Sequence, residues 1–306
     1  MKKKFRKFAM IPVVGMAILL SFSSCKKDEM EDEMNIVEVA SSNSNFSTLV
    51  AALQKAGVVE ALETYTPITV FAPTNAAFAE LFNDLGVSGL DELSPETLAP
   101  ILFYHVIGNK ITSRDLTSGY AVTLSAGPDL KGLSILVNAD EVKLNGMVNI
   151  TDTDIMASNG VIHVIDKVLL PPSVVDIASQ NSEFTHLVEA VVKAELLSTL
   201  SGSGPFTIFA PTDAAFESLF TTLGISGVAD LTKEQLIPIL QYHVVSGNVR
   251  SSNLSPGYVT TLNGDILVEL GSSIKINNTS EVLAIDIQGK NGVIHVIDEV
   301  LLPESK

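Results

Sequence analysis

The sequence predicts an α+β protein built from two tandem units of the same fold, and an internal repeat is the main observation behind this. The string NGVIHVID occurs twice, at Asn159–Asp166 and at Asn291–Asp298. Upstream, TVFAPTNAAF (Thr69–Phe78) returns as TIFAPTDAAF (Thr207–Phe216). The repeat is far longer than the ~20–50 residues of solenoid units, so each copy should fold as a domain. Each copy combines helical patterns with short strand patterns, so the fold should contain both α and β elements.

The segment before the repeat has the composition of an export signal. Lys2–Lys7 is basic, and Phe8–Phe22 is an apolar run too short for a comfortable membrane span. Together they predict a signal peptide over residues 1–24. The sequence KKDEMEDEM follows Cys25 and is too acidic to pack, so residues 25–34 should form a flexible tether.

The two copies occupy residues 35–172 and 173–303. Each opens with apolar residues at helical spacing, from Phe46 in the first copy and from Phe184 in the second. A short apolar strand should follow in each copy. These strands are expected at Ile68–Ala72 and Phe206–Ala210.

Capping signals mark two further helices in each copy. Thr74 and Thr212 can each cap a helix through the side-chain hydroxyl. Another helix begins at Ser94-Pro95 in the first copy and at Thr232 in the second, and each of these helices ends at a Tyr-His pair. Pro100 and Pro238 lie inside these last two helices and should kink them.

The rest of each copy reads as short strands separated by Gly and Asn turns. The last strand of the first copy, expected at Val161–Leu170, is apolar on both faces and should be central and buried. The first copy also carries an insertion, GPDLKG (Gly127–Gly132), that the second lacks. Its composition predicts a surface turn, where extra residues cost little stability.

Three strings in order, occurring twice, resemble the fasciclin domain of cell-adhesion proteins. They are the APT-containing string, the Tyr-His pair and NGVIHVID with the following LLP. The resemblance covers both copies. It implies that each copy is a twisted β-sandwich or wedge with packed helices. It also implies a role in adhesion or matrix binding without enzymatic activity, as is usual in the family.

The resemblance also implies candidate binding residues. An Asp-Ile pair before the closing string, and the Tyr-His segment, have been assigned to partner recognition in animal members of the family. They correspond here to the following positions: Tyr104, His105, Asp154, Ile155, Tyr242, His243, Asp286 and Ile287.

The same residues also have a structural interpretation. Tyr and His at a helix end are commonly buried with their polar atoms hydrogen-bonded. Asp154 could form a turn, and Ile155 could fill the core. His163 shares a strand face with Val161, which favours a core histidine over a catalytic one.

Composition and motifs limit the classes of function. The formal charge of −16 makes nucleic acid an unexpected partner. Zinc spacing, phosphate-binding loops and dinucleotide fingerprints are missing from the sequence, so we expect no metal and no cofactor. Three functions remain: an adhesion module for an extracellular protein or glycan ligand, a binding protein for small ligands or glycans, and an enzyme that uses Tyr-His as acid and base.

The start of the chain also resembles a bacterial lipoprotein signal. In such proteins the cysteine after the signal becomes the acylated first residue, which corresponds to Cys25, the only cysteine of the sequence. The resemblance implies attachment to the outer membrane through lipid at Cys25. The acidic tract after Cys25 resembles export tags of surface lipoproteins, so we expect display on the cell surface.

Overall fold

The computed structural model describes residues 33–303, so the predicted signal peptide, Cys25 and most of the tether lie outside the described part. From Met34 onward, the described residues belong to one compact unit. Within them, no helix has the length and apolar character needed to cross a membrane. We call residues 35–172 the first domain and residues 173–303 the second domain.

The first domain begins with helices, and the predicted strand at Ile68 lies between α3 and α4. Its helices are α1 (Ile36–Ser42), α2 (Ser47–Ala56), α3 (Val59–Thr64), α4 (Asn75–Leu85) and α5 (Pro95–Tyr104). Its strands are β1 (Ile68–Pro73), β2 (Val106–Ile107), β3 (Gly119–Ala126), β4 (Gly132–Asn138), β5 (Lys143–Leu144), β6 (Val148–Ala157) and β7 (Gly160–Ile165).

The second domain repeats this order. Its helices are α6 (Val174–Ser179), α7 (Thr185–Lys193), α8 (Leu197–Leu200), α9 (Asp213–Leu223) and α10 (Lys233–Tyr242). Its strands are β8 (Phe206–Pro211), β9 (Val244–Ser246), β10 (Gly257–Thr261), β11 (Gly264–Leu270), β12 (Ile274–Ile276), β13 (Ser280–Gly289) and β14 (Gly292–Ile297).

The predicted caps start helices in both domains. The Thr74 and Thr212 hydroxyls accept hydrogen bonds from backbone N–H groups of α4 and α9. Ser94 caps α5, and Thr232 forms a capping box with Gln235 at α10. These local signals therefore position the helices that end in the Tyr-His pairs.

Some boundaries differ from the sequence prediction. The first domain opens with α1, which begins ahead of the predicted start at Phe46 and is too short to show a clear apolar period. The last strand ends at Ile165 rather than Leu170. Just beyond this end, the Asp166 carboxylate accepts a hydrogen bond from the backbone N–H of Asn149 (2.8 Å).

The closing strands β7 and β14 are central and fully buried, as predicted. Strand β7 lies parallel to β1 and antiparallel to β6, and β14 lies parallel to β8 and antiparallel to β13. In the described first domain, β1 to β7 close into a barrel, and the strands of the second form a sheet of the order β10-β11-β12-β13-β14-β8-β9. Each domain has one apolar cluster that includes its helices and a second formed mostly by its strands.

Candidate functional site

The Tyr-His pair of the first domain lies inside the core. Tyr104 ends α5 and is fully buried. Its hydroxyl donates to the carbonyl of Ser134 (2.9 Å) and accepts from the side-chain amide of Asn145 (3.0 Å). Burial raises the pKa of Tyr104 well above its ordinary value, so the phenol stays protonated and serves as a crosslink between the helix and the strands.

His105 caps the end of α5, and both of its ring nitrogens are engaged. Nδ1 lies 2.7 Å from the carbonyl oxygen of Ile101, and Nε2 lies 2.9 Å from the backbone N–H of Leu169. A carbonyl can only accept and a backbone N–H can only donate, so the ring is the neutral tautomer with its proton on Nδ1. Burial lowers the pKa of His105 to about 4.

The second domain reproduces this arrangement. The Tyr242 hydroxyl accepts from the amide of Asn277 (3.1 Å). His243 Nδ1 lies 2.8 Å from the carbonyl of Ile239, and Nε2 accepts from the N–H of Leu301 (2.9 Å). Burial again lowers the pKa of His243 to about 4. Neither pair presents a free acid or base, which counts against the Tyr-His enzyme.

Asp154 forms a bulge in β6 and fastens a loop. Its φ is +62°, and it lies between Asp152 and Ile155, where the pairing with β7 shifts register. The carboxylate accepts hydrogen bonds from the backbone N–H (2.8 Å) and the hydroxyl of Ser113. These hydrogen bonds lower the pKa of Asp154. Ile155 is half-buried against the helix-side core, which agrees with the structural interpretation of both residues.

His163 lies beneath this bulge. The backbone N–H of Asp154 donates to its Nδ1 (3.3 Å), and its Nε2 lies 2.8 Å from the carbonyl of Ile111. His163 is fully buried. The expectation of a hydrogen-bonded core histidine is therefore confirmed.

Asp286 makes the corresponding contacts in the second domain and adds an ion pair. Its carboxylate accepts from the N–H (2.8 Å) and hydroxyl (2.6 Å) of Ser251, and lies 3.3 Å from Arg250 Nη2. Burial raises the pKa of Asp286, but the hydrogen bonds from Ser251 and the charge of Arg250 outweigh it, so the pKa is lowered overall. Ile287 is buried in the core.

The structure thus keeps the two candidate motifs of each domain apart. Within the described residues, the Tyr-His pair and the Asp-Ile pair share no hydrogen-bond partner. Partner contact by the eight candidate residues stays a prediction, and the two carboxylates are better placed for it than the buried Tyr-His pairs. In the same described part, no group of three or more His, Cys, Asp or Glu side chains is arranged to hold a metal ion.

The residues that follow the two Asp-Ile pairs have different surroundings. Met156 is 52% exposed, whereas Gln288 at the equivalent position is fully buried. The Gln288 backbone N–H donates to the Ser134 hydroxyl of the first domain (2.9 Å). The residue after the second Asp-Ile pair therefore takes part in the contact between the domains, whereas Met156 is exposed.

Sequence reasoning missed the role of Asn159. Its side-chain oxygen accepts from the N–H of Ile36 (2.9 Å), and its amide donates to the carbonyl of Leu62 (2.8 Å). Asn291 makes the corresponding bonds to Val174 and Leu200. The identical Asn-Gly start of the repeated string was the available signal.

Comparison with known proteins places both domains in one family. The fasciclin domain model matches residues 44–171 and 182–303. The chain belongs to the fasciclin domain family. The predicted resemblance and the predicted α+β fold with two tandem fasciclin domains are confirmed.

Relatives of this fasciclin pair occur in bacteria and animals. It is 46% identical over 142 residues to protein sll1483 of Synechocystis, a match covering 46% of this chain and 76% of that protein. It is 31% identical over 258 residues to human periostin, covering 80% of this chain but 29% of periostin. Pig transforming growth factor-beta-induced protein ig-h3 is 30% identical over 78% of this chain, and 35% of that protein is covered. The chain thus spans about a third of these animal relatives.

A solved structure supports the arrangement as a domain pair. The FAS1 domain pair of the insect cell adhesion molecule Fasciclin I aligns with a TM-score of 0.51 at 18% identity, covering 86% of this chain and 98% of that one. At this identity the match concerns the fold.

Proposed function

We propose that this protein is a surface-anchored lipoprotein that mediates cell adhesion, or binds an extracellular matrix or partner protein, through its two fasciclin domains. The observation that carries the proposal is the tandem fasciclin pair itself. Its fold is that of a domain pair from a cell adhesion molecule, and its sequence is related to periostin over both domains. The partner would be an extracellular protein or glycan.

The interior chemistry supports recognition without catalysis. The Tyr-His pairs and the two strand histidines are buried and hydrogen-bonded to backbone groups. An acid–base catalyst needs a group that can reach a substrate and exchange a proton near the working pH. The described residues therefore favour a binding module, and the proposed function includes no enzymatic activity.

Small-ligand binding inside a domain is the alternative, and the apolar cavities offer little room for it. The helix-side cavity has a volume of about 30 Å³ in the second domain and about 20 Å³ in the first. Ligand pockets usually measure ~300–1,000 Å³. Recognition at the surface or between the domains fits this fold better.

The proposed anchor is a lipid on Cys25, and the proposed location is the outer surface of the outer membrane. The composition of residues 1–34 supports this, because a signal-like segment precedes a single cysteine and an acidic tract. The compact unit begins at Met34, where the predicted tether ends. Protease treatment of intact cells should release the domains, and Cys25→Ala should abolish their retention at the cell surface.

A plate assay tests the recognition step. We expect the fragment Met34–Lys306 to bind extracellular matrix or the surface of partner cells in a saturable way. Asp154→Ala and Asp286→Ala are compared with it, together with Asp84→Ala as a surface control. Absence of binding by the unmodified fragment would refute the proposed function. Unchanged binding by the Asp154→Ala/Asp286→Ala double variant would show that the Asp-Ile pairs do not contribute to partner binding.

A further inference from the structure

A cleft of about 840 Å³ runs between the two domains. The wall from the first domain includes Tyr120 on β3 and the turns on both sides of β5. The wall from the second domain includes the residues that follow α6, up to Glu183, and Leu283 on β13. Clefts between domains are common positions for binding sites.

Contacts across the domain junction fix the two walls of the cleft. The side-chain amide of Asn181 donates to the Tyr120 hydroxyl (3.1 Å). Gly146 of the first domain lies so close to the second that a Cβ there would stand 2.6 Å from the carbonyl oxygen of Gln180. Because both walls are held before a partner arrives, binding requires little ordering of the protein.

The charged side chains that line the cleft are all carboxylates. Asp140 and Glu141 come from the first domain and Glu183 from the second, and no Lys, Arg or His is among the described lining residues. Lys143, just outside the lining, pairs with Glu141 (2.8 Å). That pair is solvent-exposed and so contributes little, and an incoming cation can displace it.

The cleft also presents apolar surface beside these carboxylates. Met147 and Leu283 line opposite walls, and each is 58% exposed. Exposed apolar side chains with a rim of charge are typical of interaction surfaces. The matching partner therefore carries positive charge and apolar groups close together.

We infer that the cleft binds a basic peptide segment of a partner protein, with Lys or Arg side chains against Asp140, Glu141 and Glu183 and apolar side chains against Met147 and Leu283. The formal charge of the chain, −16, adds a general attraction for such a segment. The inference rests on the proposed recognition function and names the class of partner. A segment of a protein fits because the cleft is open and combines charge with apolar surface on both walls.

Fluorescence anisotropy with a defined probe tests the inference. The probe is a labelled short peptide of alternating lysine and leucine, and its control has glutamate in place of lysine. Both are titrated with the fragment Met34–Lys306, which holds every helix, strand and core cluster that the structure describes. Circular dichroism of each variant confirms that it is folded.

Charge reversal on each wall supplies the decisive comparison. Glu141→Lys/Glu183→Lys should weaken binding of the basic peptide by about tenfold or more, because two attractions become repulsions. Glu63→Lys/Glu217→Lys makes the same change of net charge at exposed positions outside the cleft lining, and should weaken binding by less than about twofold. Met147→Ser/Leu283→Ser should also weaken it, without changing its salt dependence.

Several outcomes would overturn the inference. They are absence of basic-peptide binding, equal losses in the two charge-reversal variants, and equal binding of the acidic peptide. Displacement of the peptide by equimolar spermine would assign the cleft to small polycations instead. If the fragment self-associates and only Glu141→Lys/Glu183→Lys abolishes this, the occupant of the cleft would be a second copy of the chain. If the plate assay shows partner binding that the cleft variants retain, this inference fails while the proposed function stands.

Discussion

At the residue scale, the Tyr-His pair is a motif whose hydrogen bonds require specific side chains, although it supplies no reactive group. His105 and His243 each donate from Nδ1 to the carbonyl four residues earlier and accept at Nε2 from a backbone N–H near the end of the domain. Only a neutral imidazole of one tautomer makes both bonds. Few other side chains could replace it, since few combine a donor and an acceptor at this spacing.

This geometry predicts that the protein loses stability in mild acid. Burial lowers the pKa of both histidines from 6.5 to about 4 in the folded protein. Between these values the unfolded chain binds protons that the folded chain does not. The contribution of each histidine to the free energy of unfolding is therefore complete above the pKa of the unfolded chain. It is lost as the pH falls toward the pKa of the folded protein, by up to about 3 kcal/mol per histidine.

Urea unfolding across this pH range measures the effect. His105→Gln/His243→Gln should be less stable near neutrality but should show a much flatter fall in unfolding free energy on acidification. His186→Gln changes a half-buried histidine of α7 and should leave the contribution of His105 and His243 in place. A steep acid loss that persists in the double variant would contradict the assignment.

At the element scale, the turn between β6 and β7 fastens the start of the domain to its end. Asn159 bonds to the first residue of α1 and to the carbonyl of Leu62 in α3. A Cβ on Gly160 would lie 2.0 Å from the carbonyl oxygen of Ile68, so only glycine allows β7 to pass β1 at this point. The Asn-Gly start of NGVIHVID is thus explained by two separate physical requirements.

Replacing Asn159 should be costly. Asn159→Ala leaves the N–H of Ile36 and the carbonyl of Leu62 without their buried partner, and each unsatisfied group costs ~1–3 kcal/mol. Asn138→Ala removes a side-chain bond in an exposed turn and should cost less than about 1 kcal/mol. The difference can be measured by denaturant unfolding, and hydrogen exchange should show faster opening of α1. Equal costs at the two positions would refute this role.

The sequence was most informative where structure depends on neighbours in the chain. The caps at Thr74, Ser94 and Thr232 could be read because a capping side chain acts within three residues. The short helices α1, α3 and α8 escaped prediction because fewer than two turns carry little periodicity. The partners of Asn159 and Asp154 lie far away along the chain, and no local pattern reveals such contacts.

At the scale of the whole molecule, the insertion that distinguishes the two copies helps to join them. From the sequence, Gly127–Gly132 predicts only a tolerant surface turn. In the structure, the Asp129 carboxylate accepts from the side chain of Asn248 (3.0 Å), which also bonds to Gln288. A Cβ on Gly127 would lie 3.2 Å from the carbonyl oxygen of Gly289. The repeat predicted two domains, but equivalent positions could not show which of them form the junction.

This junction predicts coupled unfolding that depends on the insertion. Besides these contacts, Ser134 accepts from the N–H of Gln288 (2.9 Å), and the N–H of Lys290 donates to the carbonyl of Pro172 (2.7 Å). We expect the unmodified fragment to melt in one calorimetric transition. Replacing Gly127–Gly132 by the short Leu262-Asn263 turn of the second domain removes the insertion contacts and should split the melt into two transitions.

The matched control adds the same residues to the equivalent turn of the second domain. Inserting GPDLKG between Leu262 and Asn263 lengthens the equivalent turn of the second domain, so it tests the effect of loop length without altering the junction. This variant should keep the single transition, because loop length alone has a small effect on stability. Small-angle scattering should show a wider range of domain orientations only for the variant that lacks the insertion. One transition in both variants would mean that the hydrogen bonds of Ser134 and Pro172 are enough to couple the unfolding of the domains. Two transitions in both variants would mean that loop length, and not the insertion contacts, determines the coupling.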